Sequence, residues 1–198
     1  MTRKIGLAAG LRRSQDGVAA LEFAIVAPVF LLLVLGLFDL GQMLYGRVQL
    51  DGIVENAARS SSLETADTSA ADAKVAREVT RVLPGAKIEG TRLSYYDFAD
   101  VGRPEKWNDA NGNGTCDNGE SYVDENRNSG WDSDIGRDDN GGAGDVVLYE
   151  VTVKYKPLVK VPLMTDAQGE RTLTSTTVKK NQPFALQQSY GSSAGKCT

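Results

Sequence analysis

The residues best suited to chemistry lie between positions 108 and 145. There ten acids, seven asparagines and eight glycines stand against two arginines, a formal charge of -8 (two minus ten). Their order says more than their number. Asp109, Asn111, Asn113, Gly114, Thr115, Asp117 and Glu120 satisfy the loop pattern D-x-[DN]-x-[DN]-G-x5-E. In that pattern the Asp and Asn side chains, the Thr115 carbonyl and a bidentate Glu120 surround a cation, and Gly114 makes the sharp turn. Hard oxygen donors at these offsets predict Ca²⁺ over Mg²⁺, which demands a tighter octahedron. Fifteen residues on, Asp124, Asn126, Asn128 and Asp132 repeat Asp109, Asn111, Asn113 and Asp117. In this weaker second loop Ser129 replaces the turn glycine and Ile135 falls where Glu120 stood, so Asp134 or Asp138 is left to complete the shell. The competing expectation is a flexible span of Asx turns, in which Asp and Asn bond their own backbone. Calcium would neutralise such a span and fix its backbone, so binding would contribute folding energy.

Other chemistries are narrowly bounded. The 198-residue chain has no histidine, which excludes His triads, His bases and His metal sites. Two cysteines cannot make a four-Cys zinc site. No acid pair can be assigned to a pocket, so the chain is not expected to be an enzyme. A net charge of -4 argues against nucleic acid as a partner.

The elements that must position these loops begin at the N-terminus. Val18 to Leu40 is an apolar run interrupted by only two charges, Glu22 and Asp39. It meets the roughly 20 residues that a bilayer-spanning helix needs. Arg3, Lys4, Arg12 and Arg13 precede it, so the positive-inside rule keeps residues 1–17 cytoplasmic and exports the chain beyond the span. A cleaved secretory signal would have a shorter core and an A-x-A cut site, absent here. Glu22 is the anomaly, since a carboxylate at mid-bilayer costs roughly 2.5–3.5 kcal/mol, though less near the interface, where it can snorkel.

Beyond the span, Met43, Leu44, Val48, Leu50, Ile53, Val54, Ala57 and Ala58 recur at three- and four-residue steps. That stripe extends the helix to about residue 62 and predicts packing on the chain's own sheet. A second helix opens at Ser69-Ala70-Ala71-Asp72, a capping-box variant, and ends at Pro84-Gly85. Strands are predicted at 87–98, with a bulge at Gly90, at 146–155 and, more exposed, at 171–180. The expected fold class is α+β: a long transmembrane helix, a short helix, and a small antiparallel sheet carrying the acidic insertion. Its parts are a basic leader (1–17), an N-terminal helix (18–62, spanning at 18–40) and an exported domain (63–198). Export makes Cys116 and Cys197 a candidate disulfide tying the tail to the first loop, for roughly 4 kcal/mol of loop entropy. Free thiols, or a bridge between chains through Cys197, are the alternatives.

The first sixty residues resemble a known family. Gly17 followed by Val18-Ala19-Ala20-Leu21-Glu22-Phe23 is similar to the processing site of type IV pilin-like proteins. Pro28, the leucine run, Gly36, Gly41 and Asn56-Ala57-Ala58-Arg59 extend the likeness to TadE-like minor pilins of tight-adherence pili. One departure is Ser60-Ser61-Ser62 where the family has an alanine-rich stretch. The resemblance implies cleavage between Gly17 and Val18 by a prepilin peptidase, which frees an amine at Val18. Glu22, one helical turn on, would answer that amine or a neighbour's and set register as helices pack. It implies an inner-membrane subunit with a cytoplasmic N-terminus, whose partners are other pilin subunits and the pilus assembly machinery. The alternatives are a secretion-system pseudopilin and a membrane-anchored calcium-binding adhesion module that never polymerises.

Overall fold

The apolar run and the stripe after it form one continuous helix, α1 (Asp16–Ser61, 46 residues), with Pro28 inside it. In this computed structural model the described residues are 16–63, 67–158 and 165–198. The basic cluster of the leader and Pro162 fall outside them. From Val18 to Phe38 the side chains of α1 are exposed or half-buried, and Asp39 is the first buried residue. Past it, Leu50, Ile53, Val54, Ala57 and Ala58 turn into the core, with Met43 packed at its edge. Leu44 and Val48, expected on the same stripe, face outward instead. At Gly46 the helix meets Leu83 and Leu173, whose methyls would lie 3.4 and 3.5 Å from an added Cβ.

The second helix, α2 (Thr68–Val82), is capped by Asp67, which accepts from the Ala70 N–H at 2.9 Å. The box predicted at Ser69 and Asp72 therefore does not form. Asp72 instead binds across to the sheet, accepting from both Arg92 guanidinium nitrogens (2.6 and 2.7 Å) and from the Tyr149 hydroxyl (2.7 Å). Partial burial would raise its pKa, but the Arg92 and Tyr149 hydrogen bonds outweigh it and hold the carboxyl below the ordinary aspartate range.

The main sheet has three antiparallel strands, β1 (Lys87–Tyr95), β3 (Val146–Tyr155) and β4 (Arg171–Lys180), in the order β1-β3-β4. Tyr149, Val151, Val153 and Tyr155 of β3 pack with Leu173 of β4 against Leu50, Val54, Val75, Val79 and Leu83. The bulge predicted at Gly90 is absent, because the β1–β3 register runs unbroken from Lys87↔Lys154 to Tyr95↔Val146. Gly90 lies over the Tyr149 ring, where an added Cβ would make an ordinary contact at 3.5 Å. The tail of the predicted first strand becomes a 3-10 turn at Phe98–Asp100.

Two strands escape the sequence pattern. β2 (Ser121–Asp124) lies inside the acidic insertion and pairs antiparallel with β5 (Ser193–Lys196) at the C-terminus. At four residues each they are too short to show a period. A Cβ at Gly195 would run into the Tyr122 ring, so glycine is what lets β5 lie on β2. The insertion is thus not a free loop. It buries Cys116, Tyr122, Ile135 and Ala143 and ends in β3.

Candidate functional site

The first acidic loop folds round its own oxygens. Asp109 accepts from the N–H groups of Asn113 (3.1 Å) and Gly114 (2.9 Å), which brings the chain about at the positive φ of Gly114. Asn111 accepts from Asn113 N–H and Asn113 from Thr115 N–H, both as Asx turns. Their amide NH2 groups both reach Asp117, at 2.9 Å each. Glu120 closes the circle: one carboxylate oxygen accepts from Ala110 and Asn111 N–H, the other from Asp117 N–H.

The second loop repeats these bonds almost one for one. Asp124 accepts from Asn128 and Ser129 N–H, Asn126 from Asn128 N–H and Asn128 from Gly130 N–H. The NH2 groups of Asn126 and Asn128 both reach Asp132. Ser129 takes the turn at φ 69°, where the first loop has glycine.

The closing acid is neither Asp134 nor Asp138. Asp134 is engaged by the Tyr95 hydroxyl and Gly136 N–H. Glu105 closes the second loop, accepting from Glu125 and Asn126 N–H on one oxygen and from Asp132 N–H on the other. These are the positions over which Glu120 sits in the first loop.

The sequence carries the signal for this exchange. Counted from Glu105, the fifteen-residue unit reads E-x3-D-x-N-x-N-x3-D, and counted from Glu120 it reads the same. Each unit supplies the carboxylate that closes the other's loop. Trp107 and Tyr122, equivalent in the two units, meet as an antiparallel bridge flanked by Asn108 N–H to Ser121 O and Val123 N–H to Lys106 O. A count that starts at Asp109 begins the unit four residues late and leaves Glu105 out. Ile135, which stands where a third glutamate would, is a core residue with Tyr95 and Val146.

The electrostatics divide the acids into two groups. Asp100, Glu125, Asp139 and Asp145 pair with Arg103 or Arg137. Among the described residues, no lysine or arginine pairs with Glu105, Asp109, Asp117, Glu120, Asp124 or Asp132. Glu105 is fully buried, and that burial raises its pKa against the three N–H groups that pull it down. No three acids among the described residues gather as an all-carboxylate metal site. A cation here would draw on the asparagine amides and backbone carbonyls as well.

A disulfide joins Cys116 to Cys197, 81 residues apart, and Cys197 also exchanges backbone hydrogen bonds with Gly119 and Glu120. The first loop is thereby stitched to the C-terminal tail. Replacing Cys197 by serine should destabilise this end of the domain by roughly 4 kcal/mol. The check is the thermal midpoint of the two forms; equal midpoints would show the hydrogen bonds suffice.

On α1, Gly17, Val18, Glu22 and Phe23 are all exposed and helical. Nearer the sheet the same helix turns inward: Asp39 is buried and bonds Arg171 of β4 at 2.8 Å. α1 is the one helix among the described residues that is long and apolar enough to cross a membrane. Residues 17–59, all within α1, match the family described as TadE-like protein. No curated protein and no solved structure gives a significant match. The match supports a TadE-like, pilin-type protein, associated with tight-adherence pilus machinery and with the membrane.

Proposed function

We propose that this TadE-like chain is a structural minor pilin or pseudopilin, not an enzyme. A prepilin peptidase cleaves it after Gly17, and α1 then carries it into a tight-adherence-type pilus or its initiation complex. Before assembly it sits in the inner membrane with its N-terminus cytoplasmic and its α+β domain exported. The carrying observation is how far the exposed apolar face of α1 extends. Val18 through Phe38 are followed on the outward side by Leu44, Tyr45 and Val48, all well exposed. Thirty-one residues of helix reach about 46 Å at 1.5 Å per residue, beyond the roughly 30 Å of a bilayer core. The surplus faces away from the chain's own sheet, where sister helices would cover it.

Freed by cleavage, the Val18 amine would carry a positive charge one turn from Glu22. In lipid a lone carboxylate is costly, and a pair recovers much of that cost, so correct stagger between helices is the favoured arrangement. Glu22→Ala should therefore abolish incorporation into pili while leaving the exported domain folded and the chain in the membrane. N-terminal sequencing of membrane-extracted protein should begin at Val18. Retention of Met1 in a host with an active peptidase, or wild-type chain that never enters pili, would favour an anchored surface module that does not polymerise, and normal assembly of Glu22→Ala would overturn the role given to Glu22. A secretion-system pseudopilin would behave as the first case in both measurements.

The exported domain would hold Ca²⁺ in its two acidic loops. Asp109, Asn111, Asn113, the Thr115 carbonyl, Asp117 and Glu120 would serve one ion. Asp124, Asn126, Asn128, Asp132 and Glu105 would serve the other. Six carboxylates that pair with no lysine or arginine among the described residues, each loop closed by the other unit's glutamate, support this reading. Such loops would stiffen an adhesive or assembling head in calcium-rich surroundings.

A further inference from the structure

Four asparagines in the exported domain precede a glycine: Asn111, Asn113, Asn118 and Asn140. In an Asn-Gly pair the glycine nitrogen can attack the side-chain carboxamide. A bond forms between that nitrogen and Cγ, the Cγ–Nδ2 bond breaks, and ammonia leaves. Water then opens the resulting succinimide to aspartate or isoaspartate. No other reactant is consumed, and glycine favours the step because no Cβ obstructs the approach. The rate depends on whether the glycine N–H is free to lose its proton and move.

Here the four pairs differ in that respect. Gly114 N–H is held by the Asp109 carboxylate at 2.9 Å, Gly119 N–H by the Cys197 carbonyl at 2.9 Å, and Gly141 N–H by the Asp139 carboxylate at 2.8 Å. Gly112 N–H has no acceptor among the described residues. Asn111 and Asn113 make the sharpest comparison, because their side chains are otherwise alike. Both are exposed, both accept from the N–H two residues on, and both donate an amide hydrogen to Asp117. The Asx posture folds each carboxamide back over the following peptide. Only the second of the two has its attacking nitrogen tied down.

We propose that Asn111 is a site of spontaneous deamidation in the folded protein, selected from its three sister Asn-Gly pairs by the free N–H of Gly112. The product places a carboxylate, or a backbone lengthened by one methylene, at the third position of the first acidic loop. This reactivity requires no metal in that loop.

The test is incubation of the full-length protein in detergent at mildly alkaline pH with chelator, followed by peptide mapping. Parallel samples are kept in denaturant. In denaturant all four pairs should convert at comparable rates. In the folded protein Asn111 should keep its rate while Asn113 and Asn118 slow by roughly tenfold, the factor that a retained hydrogen bond implies. Folded-state conversion of Asn113 or Asn118 as fast as Asn111 would overturn the proposal. So would protection of Asn111 to the same degree as the others.

Discussion

Asp39→Ala should lower the stability of the exported domain by about 3–5 kcal/mol, the usual cost of removing one partner from a buried ion pair. Its carboxylate lies fully inside and the Arg171 side chain is nearly so, 2.8 Å apart. Arg171 opens β4, paired with Tyr155 at the end of β3, so the pair fastens the sheet to α1 at the point where the helix leaves its apolar run. Truncating Asp39 takes the carboxylate away from a nearly buried guanidinium, which keeps Tyr155 as a neighbour. Thermal unfolding of the full-length protein in detergent, followed by near-ultraviolet dichroism of the core tyrosines, measures the loss. The double replacement Asp39→Leu with Arg171→Met separates charge stranding from packing. It should recover most of the loss and can exceed the parent, because one buried Asp39 oxygen has no hydrogen-bond partner among the described residues. A shift below about 1 kcal/mol for Asp39→Ala would mean that the pair behaves as a solvated surface bridge.

Asp39 also shows where the sequence stops being informative. The run from Val18 to Leu40 identifies a membrane-length helix by composition alone, and Asp39 appears there as one of two tolerated charges. Its partner stands 132 residues away, on a strand whose alternation carries no sign of it. Local pattern is enough for α1, α2, β1, β3 and β4, since each is long enough to display a period. β2 and β5 exist because two short segments pair, and pairing is not a local property. The acidic loops are legible at their ligand offsets, because the turn and its Asx bonds are made within a few residues. Closure of the second loop is legible only when the fifteen-residue unit is counted from Glu105, which lies nineteen residues before Asp124 and reaches the second loop through the exchange between units. The outward face of α1 is a further case. Leu44 and Val48 fit the stripe by spacing, yet both lie on the exposed side of α1.

If the two acidic loops each hold Ca²⁺ as proposed, Glu105→Gln and Glu120→Gln should each remove one of two binding events, as counted by titration calorimetry on chelator-stripped full-length chain. Extracellular oxygen-ligand sites bind at roughly 10⁻⁴–10⁻³ M, and at a hundred times the dissociation constant one ion adds about 2.7 kcal/mol to the folded state. Wild-type protein should therefore gain thermal stability in calcium, each single variant about half of that gain, and the double variant none. Protease sensitivity between residues 108 and 145 should follow the same order. The metal-free state fixes the sign of the control. Without a cation, Glu105 is a buried carboxylate whose burial outweighs the N–H groups that favour its ionised form. Lowering the pH from above the ordinary glutamate range down through it should then remove that penalty locally, and calcium should remove it at neutral pH by supplying the opposite charge. A self-sufficient knot of Asx turns predicts otherwise: no heat on titration, no protection in calcium, and equal melting of Glu120→Gln in chelator and in metal. The two accounts part most sharply at Glu105→Gln. Only the cation account lets a change at residue 105 abolish binding at a loop that begins at residue 124.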